Sequence, residues 1–341
     1  MGYDNLRLEK GMYRQAGMSF TQVLESLDPS ENYRGTALEN TDAFQRQLKR
    51  FGIKAKGAGS STVEKFFAPM DSAVLFPEYI ARTVRQGMEE NDLLPAITAT
   101  TTVIDSMDYR SIYSVPTDED KELKAVAEGA AIPETEVKSK EHLVSLTKRG
   151  RMLVASYEAI RFQKLDLFSV MLRQIGSYIQ KQQVADAVNV LLNGDGNDNA
   201  AIQYTVGTCP ISGSKGTLGY DLLVEFWSRF DPYTMNTILC SNATMTSLLK
   251  IPELRDPMAG LNFQGTGKVG TPLGAQIHRT GAVADGVLIG LDNRYALELV
   301  RAGDVLVEYD KLIDRQLERA AITSISGFGK ICDGATAVLN V

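Results

Sequence analysis

The sequence has few of the residues on which catalytic and metal sites most often depend. Its 341 residues include two histidines, His142 and His278, and three cysteines, Cys209, Cys240 and Cys332, with no CxxC pair. Thiols scattered in this way are not typical of a zinc site or a disulfide framework, and we expect them to be structural. Because histidine is the commonest general base, its scarcity argues against a hydrolase. We therefore predict no enzymatic activity, no metal and no cofactor.

Excess positive charge and long apolar runs are also lacking. The chain carries 36 Lys and Arg against 42 Asp and Glu, a formal net charge of −6. This balance argues against a protein that binds nucleic acid mainly by electrostatics. No apolar segment approaches the roughly 20 residues that cross a membrane, and the start MGYDNLRLEK has no apolar signal core. We expect a cytoplasmic protein with no membrane partner.

Two glycine-rich segments resemble ligand-binding motifs. Gly265, Gly267 and Gly270 form a GxGxxG pattern, which binds nucleotides when a strand precedes it and a helix follows. Here Pro272 and the strand-like AQIHRTG follow, so we interpret the segment as a loop. A nucleotide-dependent enzyme stays open as an alternative that rests on this pattern alone.

The second segment is LLNGDGNDNA, residues 191–200, which resembles a calcium loop in composition. An EF-hand loop counted from Asn193 would need glycine and glutamate where Asp198 and Tyr204 stand. Asn and Asp side chains bond to their own backbone and tolerate left-handed angles, and Gly194 suits the position after a helix. We interpret the segment as a helix stop and turn.

Hydrophobic patterns predict the main elements. Residues 77–90 begin with Pro77 and favour an amphipathic helix, and residues 97–104 favour a strand. A long helix is predicted over residues 166–192, capped by Asp166.

A charged hairpin is predicted between these elements. From Thr117 to Glu141, 12 of 25 residues are charged, so this stretch cannot bury a core of its own. The flanking segments MDYRSIYSV and VSLTKRGRMLV are strand-like. We expect two strands around a projecting charged tip.

The first 72 residues hold short apolar groups separated by glycine, serine and charge, and they show no obvious core. We expect an arm that is ordered by a neighbouring subunit. A basic patch in this segment runs through Arg46, Lys49, Arg50, Lys54 and Lys56. Contact with nucleic acid and contact with an acidic neighbour are equally compatible with the patch.

Taken in order, five strings resemble the major capsid proteins of tailed bacteriophages, which have the Hong Kong 97-like fold. The strings are DSAVLFPEYI (71–80), AVAEGAAIPETEV (125–137), QQVADAVNVLLNGDG (182–196), TPLGAQIHRTGAVADGVLIGLDNRYAL (271–297) and YDKLIDRQLERAAITSISGFG (309–329).

The resemblance implies an α+β fold with four parts. These parts are an N-terminal arm and lead-in helix (1–107), an extended E-loop (108–145), a P-domain (146–200 and 301–341, with a spine helix over 166–192) and an inserted A-domain (201–300).

The resemblance also implies a function. Subunits of this family self-assemble into hexamers and pentamers of an icosahedral head that encloses double-stranded DNA, and they form the virion shell after assembly in the host bacterial cytoplasm. The implied partners are further copies of the chain, a portal protein, a separate scaffold protein, a decoration protein and packaged DNA held without sequence preference. The alternative within the same fold is an encapsulin-like compartment shell.

We expect the assembly contacts to come from the E-loop and the N-terminal patch. The candidates are Asp118, Lys121, Lys124, Glu128, Pro133, Glu134 and Lys138 in the E-loop, and Arg46, Lys49 and Arg50 in the patch. Some capsids of the family join an E-loop lysine to a P-domain asparagine. Here Gly129 follows Glu128 in the matching string, and no asparagine lies between Asn293 and Asn340. We therefore expect a shell without covalent cross-links.

Overall fold

The computed structural model describes residues 3–14, 18–67, 70–90, 92–114, 125–126, 128, 137–156, 158, 162–206, 217–255, 272–303, 305–312, 314 and 316–341. The chain divides into two compact units. Unit 1 comprises residues 1–91, 149–180 and 304–324, and unit 2 comprises residues 92–148, 181–303 and 325–341. These units do not coincide with the four parts that the resemblance implies.

In the described part of the chain, the α-helices are α1 (Phe20–Leu27), α2 (Ala43–Arg50), α3 (Phe76–Glu89), α4 (Leu94–Ile97), α5 (Leu165–Asn193), α6 (Tyr220–Ser228), α7 (Asn242–Leu248) and α8 (Pro252–Arg255). Short 3-10 helices cover Tyr3–Asn5, Lys10–Arg14, Ser30–Tyr33, Val63–Phe66, Met70–Leu75, Pro272–Gly274 and Asp333–Ala335.

The strands are β1 (Thr98–Ile104), β2 (Ile112–Ser114), β3 (Val137–Ser139), β4 (Thr147–Ser156), β5 (Ile202–Thr205), β6 (Thr237–Cys240), β7 (Gln276–Arg279), β8 (Val287–Leu291), β9 (Leu297–Ala302), β10 (Leu306–Leu312), β11 (Leu317–Lys330) and β12 (Thr336–Asn340).

The N-terminal segment folds within unit 1. Capping boxes fix the starts of its two helices, Ser19 with Gln22 at α1 and Asp42 with Gln45 at α2. Its buried apolar residues join one cluster with those of α3 and α5; among them are Leu6, Leu8, Phe20, Leu24, Phe44, Leu48, Val63 and Phe66. The expectation that a neighbouring subunit orders this segment is therefore wrong, because helices of the same chain cover its apolar residues. Each apolar group is too short to show a period alone, and the groups meet only after the chain has folded.

The long helix is confirmed as α5, which we call the spine helix. Asp166 does not cap it, because the helix begins at Leu165 and the Asp166 carboxylate accepts a hydrogen bond from the Gly57 amide at 3.2 Å. In unit 1 the spine helix approaches α3 with backbone against backbone. A methyl group at Gly176 would overlap the carbonyl oxygen of Val84, and one at Gly87 would overlap the Arg173 backbone.

Two sheets and a hairpin organise unit 2. Strand β9 lies between β1, which is parallel to it, and residues 326–330 of β11, which are antiparallel. The second sheet has the order β5-β12-β8-β6-β7. Apolar clusters line both sheets, with Leu191, Leu297 and Val338 in one and Phe226, Leu288 and Leu339 in the other.

The lead-in helix over 77–90 and the strand over 97–104 are confirmed by α3 and β1. The strand-like segments that flank the charged stretch form β2 and β4, but these two strands do not pair with each other as predicted. β2 pairs with β3, which lies inside the charged stretch, and β4 pairs with β11; most of the charged stretch lies outside the described residues. Among the described helices, none is both long enough and apolar enough to cross a membrane.

Candidate functional site at the base of the charged hairpin

The segment predicted as the E-loop begins and ends with two antiparallel limbs in unit 2. We call residues 109–114 and 137–144 the E-loop base. Strands β2 and β3 pair within it, and the ladder continues below them, where the Lys140 amide donates to the Ser111 carbonyl and the Val144 amide to the Tyr109 carbonyl, both at 2.9 Å. The base is therefore an ordered stem beneath the charged tip.

A buried glutamate holds the first limb. Glu298, in β9, accepts hydrogen bonds from the hydroxyl groups of Thr102 at 2.5 Å, Tyr109 at 2.7 Å and Ser111 at 2.7 Å. Its exposed fraction is 7 %. Burial and then the hydrogen bond to Glu298 raise the pKa of Tyr109, which keeps its hydroxyl protonated and able to donate. Two of the three donors belong to the E-loop base.

A buried aspartate holds the second limb. The Lys140 ammonium donates to Asp195 Oδ2 at 2.8 Å and to the backbone carbonyl of Lys330. The side chains of Lys140 and Asp195 are 5 % and 3 % exposed. Two residues along the limb, the His142 amide donates to the side-chain oxygen of Asn197 at 3.1 Å.

Asp195 is presented by the turn that ends the spine helix. The helix stops at Asn193, and Gly194 has a φ of +81°, which confirms the predicted helix stop. The backbone amide of Asp195 donates to Asn199 Oδ1 at 3.0 Å. The side-chain Nδ2 of Asn197 donates to Asp195 Oδ1 at 2.8 Å. We call residues 193–199, which begin with the string NGDG, the NGDG turn, since Asn and Asp chemistry shapes it as the sequence predicted.

Strand β11 closes the arrangement from its end. The Lys330 amide donates to Asp195 Oδ2 at 2.9 Å, and the Lys330 ammonium donates to the Asn199 carbonyl at 2.7 Å. Asp195 Oδ2 thus receives donors from the E-loop base and from β11, and Oδ1 receives one from its own turn. One carboxylate joins three segments of the chain.

The electrostatics follow from burial and from these donors. Burial alone would raise the pKa of Asp195, but hydrogen bonds from Lys140, Asn197 and the Lys330 amide outweigh it and lower the pKa. Burial lowers the pKa of Lys330 to about 8, because the favourable charges of Asp333 and Asp195 do not offset desolvation and the nearby Lys140. The cluster is held by the charged Asp195 carboxylate and by the Lys330 ammonium, whose pKa lies below that of an exposed lysine.

Two glycines of β11 let the E-loop base lie directly on the strand. A methyl group at Gly327 would overlap the Ser145 carbonyl oxygen, and one at Gly329 would lie 3.3 Å from Val144 and 3.5 Å from Ser111. The GFG string near the C-terminus therefore serves close packing of the limbs.

The predicted E-loop contacts fall mostly on the tip. Asp118, Lys121, Lys124, Pro133 and Glu134 lie outside the described residues. Glu128 is exposed, and Lys138 stands opposite Tyr113 in the hairpin ladder. Their roles as assembly contacts stay predictions.

The prediction for Arg46 is wrong. Its side chain is fully buried, and its guanidinium donates to Asp28 Oδ2 at 2.7 Å, to the Asp28 carbonyl at 2.6 Å and to the Thr41 carbonyl at 2.5 Å. It also stacks over the Tyr33 ring at 4.3 Å. A guanidinium satisfied in this way inside unit 1 is not a surface contact.

The other two patch residues differ from each other. Arg50 is half-buried and donates to the Leu6 carbonyl at 2.6 Å and to Gln47 at 3.2 Å, which ties it to its own chain. Lys49 is exposed, as are Lys54 and Lys56. The exposed part of the predicted basic patch thus consists of these three lysines.

Sequence reasoning missed the anchoring residues Lys140, Asp195, Glu298 and Lys330. The NGDG turn was a visible signal, because a helix stop does not require as many as five Asn and Asp residues. Nothing in the local pattern tells that Lys140 and Lys330, 55 and 135 residues from Asp195, are its partners.

The comparison with family models decides the identity. A model described as phage capsid protein matches residues 139–311, slightly more than half of the chain. The chain belongs to the phage capsid protein family. It is accordingly a structural subunit of a capsid shell and a component of a virion.

Solved phage capsids share the fold of this family member. The capsid of an empty GTA particle is 13 % identical, with a TM-score of 0.53, and the match covers 72 % of this chain and 88 % of that one. Microbacterium phage Oxtober96 is 12 % identical, with a TM-score of 0.51 and coverages of 74 % and 91 %. Mycobacterium phage Che8 is 14 % identical, with a TM-score of 0.50 and coverages of 73 % and 88 %. These matches confirm the predicted α+β, Hong Kong 97-like fold. No curated protein matches the sequence.

Proposed function

We propose that this capsid protein is the major capsid protein of a tailed phage. It forms hexamers and pentamers that close into an icosahedral head around double-stranded DNA, and the head assembles in the cytoplasm of the bacterial host. The observation that carries this proposal is an apolar surface on unit 1, which a protein working as a single soluble chain does not need.

The apolar surface follows the outer face of the spine helix. Leu167, Val170, Met171 and Tyr178 are 59 %, 50 %, 52 % and 57 % exposed. Their spacing of three, four and seven residues places them on one helical face. Contiguous exposed apolar surface marks an interaction site, and for a shell subunit the natural partner is another copy.

The E-loop supplies a second set of contacts. Twelve of the 25 residues from Thr117 to Glu141 are charged, and such a segment gains order by lying on a partner. We keep the predicted contacts as part of this proposal: Asp118, Lys121, Lys124, Glu128, Pro133, Glu134 and Lys138. Each contact is weak, but a closed shell repeats it many times, so modest interfaces suffice.

The proposal keeps the predicted four-part division of the chain and the predicted partners. A portal protein, a separate scaffold protein and a decoration protein would bind the shell. Packaged DNA would touch it without sequence preference, with Lys49, Lys54 and Lys56 as candidate contacts. Changing these three lysines to glutamate should reduce particle yield or DNA content in a salt-dependent way. An unchanged yield and content at every ionic strength would remove the lysines from the proposal.

Deleting the E-loop tip tests the assembly proposal. Residues 117–136, which lie between the two limbs of the E-loop base, are replaced by a short glycine–serine linker, and the product is examined by circular dichroism and electron microscopy. We expect a folded protein that stays as capsomers or monomers, whereas the complete chain forms closed shells. Closed shells from the linker variant would contradict the assigned role of the loop.

The apolar surface is tested separately. The double variant Val170→Asp with Tyr178→Asp should lower shell yield at least tenfold, since it places charge in a contact that must be dry. The matched control is Gln86→Asp, an exposed polar position on α3, which should assemble normally. Equal yields from the double variant and the complete chain would show that this face stays free in the shell.

The genes beside this one distinguish the head from a compartment shell of the same fold. Neighbouring portal and terminase genes support the phage head. An adjacent gene for a ferritin-like protein or a peroxidase would instead support an encapsulin-like compartment.

A further inference from the structure

The two limbs of the E-loop base are fastened to the same unit by two buried carboxylates. Glu298 holds the first limb through Tyr109 and Ser111, and Asp195 holds the second limb through Lys140. Glu298 belongs to β9, and Asp195 belongs to the turn that ends a helix of 29 residues. Glu298 lies in a strand with regular backbone hydrogen bonding, and Asp195 directly follows the last residues of the helix in a turn where it bonds to Asn197 and Asn199.

We propose that the NGDG turn is a receptor that fixes the direction in which the E-loop leaves its own subunit, with Asp195 as the positioning residue. The inference rests on the proposed function, because direction matters only if the tip contacts a neighbour. The direction set at the base determines where the tip meets that neighbour. Asp195 thereby controls whether the loop contacts add up to a closed shell.

Asp195 is suited to this role because its partners are few, strong and buried. A charge-assisted hydrogen bond from Lys140 is directional and contributes more than a neutral one. Removing the aspartate charge leaves the Lys140 ammonium buried beside Lys330 with its principal carboxylate partner gone. A buried ammonium in that position must move toward water, and the second limb has to move with it.

The neighbouring residue Asn197 extends the receptor along the limb. Its side-chain oxygen accepts from the His142 amide, and its nitrogen donates to Asp195. The turn therefore holds the limb at two points two residues apart, which fixes an orientation as well as a position. A single contact would leave the limb free to pivot.

Strand β11 holds the E-loop base from a second side. The Asp195 carboxylate also accepts a hydrogen bond from the Lys330 amide, and Ser145, the residue directly after the limb, lies against Gly327 with no room for a side chain. The limb is thus held from two sides, by the NGDG turn and by β11.

Hydrogen exchange and electron microscopy of the full-length chain test the proposal. Asp195→Asn keeps the shape and removes the charge, and Asn197→Ala is a milder second variant that should still fold if the first does not. The matched control is Asp292→Asn. Asp292 is also fully buried, but it accepts from the Thr234 amide, from Asn236 and from Arg294, none of which belongs to the E-loop base.

We expect Asp195→Asn to raise amide exchange at residues 139–144 about tenfold or more, because a hydrogen bond to a charged group stabilises by at least that factor. Asn197→Ala should raise it about twofold to tenfold, because the bond that it removes from the His142 amide is neutral. The control should leave exchange there unchanged. Asp195→Asn particles should be aberrant in size or incomplete, whereas the control should close normally or, if it folds poorly, lose yield without a change in shell size.

The outcomes separate the inference from the proposed function. Unchanged exchange at residues 139–144 in Asp195→Asn would show that the turn does not hold the limb. Raised exchange together with normal shells would overturn its role in directing assembly, even if the deletion of residues 117–136, which leaves Lys140 in place, still abolishes shells. Normal shells from that deletion would instead refute the assembly role of the loop, and the exchange result alone would then decide the anchoring.

Discussion

Arg46 and Lys49 lie three residues apart on helix α2 and have opposite environments. Arg46 is fully buried among Asp28, Thr41 and Tyr33, and Lys49 is exposed in the last turn of the helix. The guanidinium fork matches the carboxylate and carbonyl oxygens around it, which an ammonium could not do. Arg46 thus organises the N-terminal part of unit 1, while Lys49 is available to a partner.

The variants Arg46→Gln and Lys49→Gln test this difference. Arg46→Gln leaves Asp28 buried without its cation, so we expect the free energy of unfolding to fall by about 3 to 5 kcal/mol. Lys49→Gln should change it by no more than about 0.5 kcal/mol. Urea unfolding of the two proteins gives both values. Equal stabilities would mean that Arg46 is not the organising residue.

Lys330 predicts a pH dependence of stability. Its pKa in the folded chain is about 8, below the ordinary 10.5, because burial disfavours the charged form. Below about pH 8 both states hold the proton, and the buried charge lowers the stability of the fold. As the pH rises from 8 toward 10.5, the unfolded chain binds more protons than the folded one. The contribution of Lys330 to the free energy of unfolding therefore increases with pH.

The expected gain from Lys330 is roughly 2 kcal/mol between about pH 7.5 and about pH 9.5. Lys330→Met lacks this group, so the difference in unfolding free energy between the complete chain and the variant should shift by that amount. Other groups titrate in both proteins and cancel; one is Cys240, whose pKa burial raises to about 11. Parallel pH profiles would show that Lys330 stays charged in the fold.

At the scale of elements, the contact of α3 with the spine helix depends on two glycines. Gly87 and Gly176 bring the two backbones together within unit 1. An alanine in an open helix stabilises it by about 0.5 to 1 kcal/mol relative to glycine. At Gly176 the added methyl group must push the helices apart. The steric effect therefore lowers the free energy of unfolding, whereas the gain in helix propensity raises it.

We expect the steric cost to exceed the propensity gain. Gly176→Ala should lower the free energy of unfolding by more than about 2 kcal/mol. The control Gln174→Ala, at an exposed position of the same helix, should change it by about 0.5 kcal/mol or less. Thermal unfolding followed by circular dichroism compares the two. A more stable Gly176→Ala protein would mean that the helices are not in backbone contact.

At the scale of the whole molecule, the shell is expected to be held by noncovalent contacts. The family's lysine–asparagine bond needs an asparagine in the returning strands, and none lies between Asn293 and Asn340. Gln316 is the carboxamide present there, and it lies exposed in the turn between β10 and β11 with a φ of +51°. Exposure to water does not favour the loss of ammonia from an amide.

Electrophoresis of purified shells tests this expectation. After boiling in detergent with a reductant, the particles should give a single band at the mass of one chain. A ladder of dimers, pentamers and hexamers that survives reduction would show covalent cross-links. The complete chain expressed without shells provides the monomer marker.

The sequence by itself determined the elements whose signals are local. The helical spacing of apolar residues and the glycine that follows predicted the spine helix, and the β-branched run over residues 97–104 predicted β1. These features can be predicted from the sequence because each depends on residues that are close together in it. The order of five strings supplied the family, which the family model and the solved capsids confirm.

Tertiary structure alone decided which charges are buried and what they hold. The residues around Arg46 in the sequence are those of a solvated basic patch, yet its side chain is buried and bonded to Asp28, 18 residues away. Asp195 meets Lys140 and Lys330 across 55 and 135 residues. The physical reason is that the free energy of a charge depends on its solvation and its partners, and both are set by segments that the fold brings together from distant parts of the chain.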